Sequence, residues 1–474
     1  MKKTTDLIKL QSTNGNRNLL RRALTKTTFD VAKAITTKGH DMQRKSSRRQ
    51  FLRQFGASIA AGAVSSGFSL PTLISGKAIG LDGQAPASET ILLGGIGINN
   101  RGGYDLGFFL NQPDVRFVAI SDVARTRRER VKKQAEEAQN TNDVAMYRDF
   151  RELLERKDVD AILSATGDRW HAHMAIYAAR AGKDVYSEKP CAISIELCRK
   201  LAETMRLYGT IFQGGTQRRN VRNFRHACQL AQTGKLGKIH TVHASIYYLD
   251  HKTTWLPEQP LPDREEFDWD LWLGPAPWRP FNEAYAQVGK ASWSAWRGYY
   301  DFDSGFRHLD WGAHTVDLCQ WALNADGTTP VEYWAEGNKM FALYENGVKL
   351  VMRPDGWLGL GTCPVRFEGS DGWIETGDSG KTILSNDSLQ SVEPDIEGTN
   401  PRDHIRNFLD CVKSRRQPTC NADVIRSSHV ACHASALSWY LNRTLKFDPK
   451  TETFVNDDEA NRLRSRADRI PWTL

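Results

Sequence analysis

The chain has 474 residues, of which 40% are hydrophobic and 14 are Trp, so it can bury more than one core. Residues 1–55 carry 14 Lys and Arg against three Asp, a net charge of +11, which leaves −3 for the rest of the total of +8. The folded part is therefore slightly acidic, which argues against nucleic acid as a partner despite the basic pI.

The basic start of the chain contains Ser47-Arg48-Arg49-Gln50-Phe51-Leu52, before an apolar, small-residue run from Phe55 to Leu70. This order predicts an export signal of the twin-arginine type. The run is too short and too weakly apolar to predict a stable membrane span after processing. We expect a leader over residues 1–87, with the signal at about 42–87, Met42 as an alternative start, cleavage at Ala85-Pro86-Ala87 or near Ala78, and a periplasmic or other extracytoplasmic destination.

The eight cysteines are scattered through the chain without a CxxC pair. Their spacing predicts neither a zinc site nor a disulfide framework. Twin-arginine substrates cross the membrane already folded, so buried, reduced thiols are consistent with export by that route.

A glycine-rich turn follows the first predicted strand of the folded part. Thr90 to Ile96 is an apolar run of strand length, and Gly97-Ile98-Asn99-Asn100-Arg101-Gly102 comes directly after it. The spacing predicts a dinucleotide fingerprint, in which a tight turn and a helix N-terminus hold a pyrophosphate. Gly97 and Gly102 fit the first and third glycines, whereas Asn99 replaces the second and must tolerate a left-handed conformation. A register that starts at Gly95 is the alternative.

An acidic residue ends the second predicted strand, Val115 to Ser121. Asp122 lies 20 residues beyond Gly102, where an acceptor for a ribose 2′-hydroxyl is expected. An aspartate there favours NAD and repels the 2′-phosphate of NADP. The arginines of the following helix can offset that repulsion, so NADP remains the alternative; these are Arg125, Arg127 and Arg128.

Two further strands end in polar residues. Ala161 to Ala165 leads into Thr166-Gly167-Asp168-Arg169-Trp170-His171, and Asp184 to Ser187 leads into Glu188-Lys189-Pro190. Strands that alternate with helical patterns predict a parallel, doubly wound sheet, whose carboxyl edge binds ligands. Pro190 ends its strand and holds Lys189 extended at that edge, where a lysine beside a glutamate suits proton chemistry. We expect Trp170 near the nicotinamide, and His171 as a brace for the next helix rather than a reacting group.

The second half of the chain contains another dense polar stretch. Asp310, His314 and Asp317 are four and three residues apart, so they share one helix face. Two carboxylates and a histidine can also bind a divalent ion, so a metal site is the rival interpretation. Aromatic residues crowd positions 255–300, and we expect most of them in the core and two or three at a sugar site.

The order of these motifs, followed by Gly214-Gly215-Thr216-Gln217-Arg218-Arg219, resembles the glucose–fructose oxidoreductase / inositol dehydrogenase (Gfo/Idh/MocA) family, in a branch with twin-arginine leaders. The resemblance covers about residues 88–474. It implies an α/β protein, with a Rossmann domain of doubly wound parallel sheet at 88–212 and a second α/β domain at 213–474. The second domain is expected to have a large, mostly antiparallel open sheet that forms the interface of a homo-oligomer, a dimer or tetramer, and last helices that return to the Rossmann domain.

Members of this family oxidise or reduce sugars and polyols with a nicotinamide cofactor, and some cleave glycosides through a transient ketone. The resemblance therefore implies an oxidoreductase acting on a carbohydrate, with a redox-neutral NAD-dependent glycosidase or lyase as the alternative. A non-catalytic sugar-binding relative is the third interpretation. An enzyme exported folded carries its nucleotide with it, so we expect tightly bound NAD, with NADP as the alternative.

The resemblance also assigns roles and argues against a metal, because in the family the Asp-x-x-x-His pair works with the lysine of Glu-Lys-Pro. His314 is then the general base, Lys189 polarises or protonates the hydroxyl oxygen, and Asp310 orients them. The predicted cofactor-binding residues are Gly97, Asn99, Arg101, Gly102, Asp122, Thr166, Trp170, His171, Glu188, Lys189 and Gln217. The predicted substrate-binding residues are Lys189, Arg219, Asp310, His314 and Asp317.

Overall fold

The computed structural model describes residues 86, 88–286, 295–389 and 401–474. Apart from Pro86, the predicted leader with its twin-arginine motif lies outside these residues. Two β-sheets organise the described part of the chain. Among the helices described there, none is long and apolar enough to cross a membrane.

The first sheet has six parallel strands in the order β3-β2-β1-β4-β5-β6. Its central strands are almost continuously apolar because helices cover both faces. The strand order reverses between β1 and β4, which opens a crevice at their carboxyl ends. The strands are β1 (Ile91–Ile96), β2 (Val115–Ser121), β3 (Ala145–Tyr147), β4 (Ala161–Ser164), β5 (Asp184–Ser187) and β6 (Phe212–Gly214). The helices between them are α1 (Asn100–Leu110), α2 (Arg125–Gln139), α3 (Phe150–Glu155), α4 (Asp168–Arg180) and α5 (Ile195–Tyr208).

Local signals account for several of these boundaries. The helix predicted from Arg125 ends at Gln139, because Asn140 adopts the left-handed conformation with φ 49°. Helix α5 begins after Ser194, whose side chain accepts the N–H of Leu197, and ends at Gly209, with φ 63°. The parallel Rossmann sheet predicted from the sequence is confirmed.

The second sheet has nine strands in the order β13-β12-β11-β7-β10-β9-β8-β14-β15. Only the β7–β10 pair is parallel within the described sheet, which confirms the mostly antiparallel second domain. Its strands are β7 (Ile239–Ser245), β8 (Glu332–Glu336), β9 (Lys339–Leu343), β10 (Lys349–Arg353), β11 (Val365–Gly369), β12 (Gly372–Thr376), β13 (Thr382–Leu384), β14 (Leu445–Asp448) and β15 (Thr453–Phe454). Its helices are α6 (Arg222–Gln232), α7 (Trp269–Leu273), α8 (Glu283–Ala286), α9 (His308–Ala322), α10 (Arg402–Ser414), α11 (Ala422–Leu441) and α12 (Asp458–Arg462).

Two segments of the second half pack against the first sheet's domain. On α10, the ring of Phe408 lies 6.3 Å from that of Phe109 and 5.9 Å from that of Tyr186. The other segment is residues 263–286, which contain α7 and α8 and which we call the cover segment. It forms a β-bridge between Phe267 and Ala124, two residues after Asp122. The second domain therefore reaches the carboxyl edge of the parallel sheet.

Candidate active site

A cavity of about 460 Å³ lies at the crevice between β1 and β4. Its walls come from the carboxyl edge of the parallel sheet, from the cover segment and from the start of α9. Thirteen predicted site residues line it, namely Gly97, Asn99, Arg101, Gly102, Asp122, Thr166, Trp170, His171, Glu188, Lys189, Gln217, Asp310 and His314.

The glycine-rich turn joins β1 to α1 in the predicted register. Gly97 has φ 70°, and a Cβ there would lie 2.5 Å from the side chain of Thr166, so the close approach requires glycine. A Cβ on Gly102 would lie 2.5 Å from that of Ala165, so this glycine allows α1 to pack on the end of β4. Gly95 lies inside β1 against the ring of Phe117, which explains it without the alternative register.

The asparagines of this turn differ from expectation. Asn99 is extended, with φ −139°, and the positive φ falls on Asn100 at 30°. The Asn99 side chain accepts a hydrogen bond of 3.1 Å from Arg130, which draws it towards α2. The N-terminus of α1 nevertheless faces the cavity, as a pyrophosphate site requires.

Asp122 is buried at the end of β2. Its Oδ1 accepts the N–H of Ala124 at 2.9 Å and lies 3.9 Å from Nη1 of Arg127. Burial raises the pKa of Asp122, and Arg127 acts against this shift. Three arginines of α2 were expected to be able to offset the repulsion of NADP, and only Arg127 of these lines the cavity. Arg125 pairs with Glu266, and Arg128 donates to the Asp122 carbonyl.

Lys189 and His314 line the same cavity. The Nζ of Lys189 donates to the backbone carbonyl of Asp310, and His314 follows one turn later on α9. Burial lowers the pKa of Lys189. Burial also holds the pKa of His314 well below its usual range, and the positive charges of Arg218 and Lys189 add to that effect. The histidine is therefore neutral at pH 7 and able to accept a proton.

The carboxylate of Asp310 pairs with Arg297, whereas it was expected to orient Lys189 and His314. Its Oδ1 lies 2.8 Å from Nη1 of Arg297, and its Oδ2 lies 3.5 Å from Nε of Arg307. Burial raises the pKa of Asp310, although Arg297 and Lys189 oppose the shift. Asp310 thus touches Lys189 through its backbone, while its side chain links α9 to Arg297.

The residues after β4 brace their surroundings. His171 Nδ1 lies 2.6 Å from the carbonyl of Pro190, which fits the expected bracing role, and burial lowers its pKa. The Trp170 indole N–H donates to the carbonyl of Leu271 at 2.9 Å, and its ring packs edge-on against Trp472 at 5.0 Å. Trp170 therefore fixes the cover segment, besides lining the cavity where a nicotinamide was expected.

Arg219 and Asp317 do not line the cavity, in contrast to their predicted substrate-binding role. Arg219 Nε lies 2.7 Å from Oδ2 of Asp317, both side chains are almost fully buried, and Arg219 also binds Asp326. Burial raises the pKa of Asp317 to about 6, with Arg219 opposing. Seven residues along a helix advance roughly 10 Å, which carries Asp317 past the end of the site that contains Asp310.

Sequence reasoning missed Arg218. This neighbour of Arg219 lines the cavity and forms two hydrogen bonds to Asp378, at 2.9 and 2.6 Å. No sequence signal separates two adjacent arginines, and the partner lies 160 residues away. The cover segment was missed as a wall of the cavity for the same reason. Three aromatics of the 255–300 region do line the cavity, namely Trp272, Tyr285 and Trp296.

The alternative of a metal site finds no support in the geometry, because Asp317 is committed to Arg219. Within residues 88–286, 295–389 and 401–474, no group of three or more His, Cys, Asp or Glu could hold a metal ion. All eight cysteines are buried and unpaired.

Both halves of the chain match profiles of one family. Residues 92–216 match the Gfo/Idh/MocA profile described as "Oxidoreductase family, NAD-binding Rossmann fold". Residues 225–474 match the profile described as "Oxidoreductase family, C-terminal alpha/beta domain".

Curated relatives match over a shorter stretch. An alpha-N-acetylgalactosaminidase from Shewanella oneidensis is 34% identical over 173 residues, which cover 33% of this chain and 36% of that protein. A glycosyl hydrolase family 109 protein from Saccharopolyspora erythraea is 34% identical over 167 residues, with the same two coverages. The chain thus spans about a third of the length of the curated relatives it matches.

Solved structures share the fold. A myo-inositol 2-dehydrogenase from Lactobacillus plantarum has a TM-score of 0.53 at 18% identity and covers 76% of this chain and 100% of its own. The WlbA dehydrogenase from Chromobacterium violaceum, in complex with NADH and UDP-GlcNAcA, has a TM-score of 0.56 at 14% identity and covers 77% and 98%. With both of its domains matched, this chain belongs to the Gfo/Idh/MocA oxidoreductase family, and its first domain is an NAD-binding Rossmann domain.

Proposed function

We propose that this protein is an NAD-dependent enzyme that acts on a sugar, polyol or glycoside by hydride transfer. The observation that carries the proposal is that Lys189 and His314 line the same cavity as the glycine-rich turn and Asp122. An acid–base pair beside a dinucleotide site is what oxidation of a hydroxyl-bearing carbon requires.

The residues present fit a dinucleotide. The close approach at Gly97 and the N-terminus of α1 suit a pyrophosphate, and the buried Asp122 suits a ribose hydroxyl. When bound, the nicotinamide supplies the acceptor or donor of a hydride. The chain's own groups manage the proton that must leave or reach the substrate oxygen.

That proton is handled by two groups of opposite character. The neutral His314 accepts it, and Lys189 polarises the same oxygen. Asp310 keeps Lys189 in place through its carbonyl, and Arg297 fixes Asp310 in turn. Burial lowers the pKa of Lys189 towards neutral pH, whereas it lowers the pKa of His314 further below neutral and so keeps the imidazole uncharged.

A second candidate function is glycoside cleavage with no net redox change, which the names of the curated relatives favour. Oxidation of a ring hydroxyl to a ketone would acidify the neighbouring C–H bond. His314 or Lys189 would then remove that proton as the glycosidic oxygen leaves. Addition of water and return of the hydride would complete a hydrolysis.

One experiment separates the two functions. The purified protein is incubated with a panel of free sugars, polyols and p-nitrophenyl glycosides, including p-nitrophenyl N-acetyl-α-galactosaminide. The masses of the products are then measured by mass spectrometry. Loss of two hydrogens indicates oxidation, and gain of water with release of p-nitrophenol indicates cleavage. If no panel member reacts while NAD binds, the non-catalytic sugar-binding interpretation gains support.

We also propose that the cofactor is held tightly by the cover segment. This segment contacts the first turn of α2, next to Asp122, since Arg125 N–H donates to Glu266 O at 2.9 Å and Arg127 donates to Ala286 O at 2.8 Å. Arg169 donates to the carbonyl of Trp272 at 2.9 Å and stacks on its ring. Near-stoichiometric NAD or NADP in the supernatant of denatured protein, purified without added nucleotide, is the expected result. An empty protein that needs added NAD would contradict tight retention.

The leader motif supports a further proposal, that the protein is exported by the twin-arginine machinery to the periplasm or another extracytoplasmic site. Arg48→Lys with Arg49→Lys is expected to leave the protein in the cytoplasm, and normal export of this double variant would contradict the proposal. We also propose a homo-oligomer through the nine-stranded sheet, which light scattering of the purified protein tests.

A further inference from the structure

A buried acidic pair lies beside the cofactor half of the cavity. Asp105, on α1 one turn after Arg101, is fully buried, and Glu188 at the end of β5 is nearly so. Arg101 serves both, since its Nη2 lies 3.0 Å from Oδ1 of Asp105 and its Nε lies 3.6 Å from Oε1 of Glu188. The guanidinium itself lines the cavity.

Neighbouring residues pack closely around Glu188 and Arg101. A Cβ on Gly215 would lie 2.5 Å from Oε1 of Glu188, so the backbone closes over this carboxylate. The Gln217 side chain, with its amide oxygen turned to Arg101, accepts from Nη2 at 3.1 Å. One cation therefore faces three acceptors, two of which are carboxylates.

We propose that Asp105 is a positioning residue of the cofactor site, which carries a proton shared with Glu188 so that the pair holds Arg101 against the bound dinucleotide. Two buried carboxylates beside a single arginine cannot both ionise without strong repulsion. The proposal rests on the cofactor-binding role of Arg101, and Asp105 has no contact with the cavity itself.

The proton is placed on Asp105 because this carboxyl group is fully buried and away from the cavity, whereas Glu188 lines the cavity. Burial and the neighbouring Glu188 raise the pKa of Asp105 well above its usual range. Burial tends to raise the pKa of Glu188 too, but Arg101 and a hydrogen bond from Asp105 turn the net shift downward. The other charged or titratable groups that act on the pair are Tyr186 on β5, Lys189, Cys191, His171 on α4 and His404 on α10.

This arrangement makes NAD binding sensitive to alkali. Above the pKa of Asp105 the second carboxylate ionises, the two anions repel, and Arg101 is drawn back to neutralise them. The dissociation constant for NAD is then expected to rise by up to about tenfold per pH unit, the limit for one proton. NAD has no group that titrates between pH 6 and 9, so the change belongs to the protein.

The test is a titration of the apoprotein with NAD from pH 6 to 10, with folding checked at each pH by near-UV circular dichroism. The wild type is expected to lose affinity on the alkaline side. Asp105→Asn keeps the shape and the donor but cannot ionise, so its affinity should stay level from pH 6 to 10. Asp143→Asn, which makes the same change in an exposed pair with Arg116, should keep the alkaline loss.

Two outcomes overturn the proposal: a wild-type affinity that is level up to pH 10, or an Asp105→Asn variant that keeps the alkaline loss. A third result is distinct from both. If the wild type binds no NAD at any pH, the cofactor site itself is refuted. If Asp105→Asn does not fold, Glu188→Gln removes the same repulsion from the other side and should also abolish the alkaline loss.

Discussion

The two halves of the cavity are built in different ways. The cofactor half is a run of strand ends in one domain, where backbone geometry at Gly97 and acids at the strand ends, such as Asp122, provide the site. The substrate half is assembled from charged side chains whose partners are far apart in the sequence, such as Lys189 with the backbone carbonyl of Asp310 and Arg218 with the carboxylate of Asp378. A variant in one half should therefore affect one property of the protein and leave the other intact.

The largest effect is expected in the substrate half. Lys189→Ala and His314→Ala should each lower the turnover rate by about 10²–10⁴-fold, the usual contribution of general acid–base catalysis. NAD affinity should change little, because neither residue belongs to the turn or the ribose site. Single-turnover rates and NAD titrations of each variant measure the two properties separately.

Lys183→Ala is the matched control for the lysine. That side chain is also buried, but it donates to the carbonyls of Arg156 and Val159 outside the cavity. It should lose stability and keep its turnover. Full activity in Lys189→Ala or His314→Ala would remove that residue from the mechanism.

Two adjacent arginines sharpen the comparison. Arg219→Ala breaks a buried ion pair with Asp317, so the free energy of unfolding should fall by about 3–5 kcal/mol. Arg218→Gln should instead raise KM about tenfold or more, because one charge-assisted hydrogen bond in the cavity is worth about 1.5–3 kcal/mol. Urea unfolding and steady-state kinetics on both variants test this. If Arg219→Ala raises KM more than Arg218→Gln does, Arg219 contributes to substrate binding as the sequence predicted.

These two arginines also show the limit of sequence reasoning. The Rossmann sheet, the turn at Gly97 and the acid at the end of β2 follow from local spacing and were predicted. Which side chains of the second domain reach the cavity depends on partners more than 100 residues away, such as Asp378 for Arg218 and Arg169 for Trp272. Helical spacing placed Asp317 on the correct face of α9 but gave no indication of how far along the helix the site extends.

In the cofactor half, Asp122→Ala should weaken NAD binding and reduce the preference of the protein for NAD over NADP. The variant removes both the acceptor for the ribose hydroxyl and the charge that repels a 2′-phosphate, while Arg127 remains. A bond to a charged acceptor is worth about 1.5–3 kcal/mol, so the dissociation constant should rise about ten- to 150-fold. Unchanged affinities for both nucleotides would reject Asp122 as the ribose ligand, and turnover at saturating NAD should be nearly normal.

The smallest effect is expected on the rate of NAD release, from a variant that contacts the cover segment. Arg469 reaches the cover segment from outside the cavity, where its Nε donates to the carbonyl of Gly274 at 3.0 Å and its Nη1 lies 2.6 Å from Oδ1 of Asp270. Arg469→Ala should loosen the cover, so NAD should leave about fivefold faster if one hydrogen bond of about 1 kcal/mol is lost. Arg443→Ala, in an exposed pair with Asp457, is the matched control and should leave the rate unchanged.

The rate matters because retention is a kinetic property. To keep NAD for hours the protein needs a dissociation rate near 10⁻⁴ per second, which with an association rate of about 10⁶ per molar per second gives a dissociation constant of roughly 0.1 nM, or about −13.6 kcal/mol. A fivefold faster release shortens the residence time by the same factor. Displacement of bound NADH by excess NAD, followed by the fluorescence of NADH, measures this change. If the rate is the same in both arginine variants and the wild type, the cover segment does not control release, and the affinity must lie in the turn and the ribose site alone.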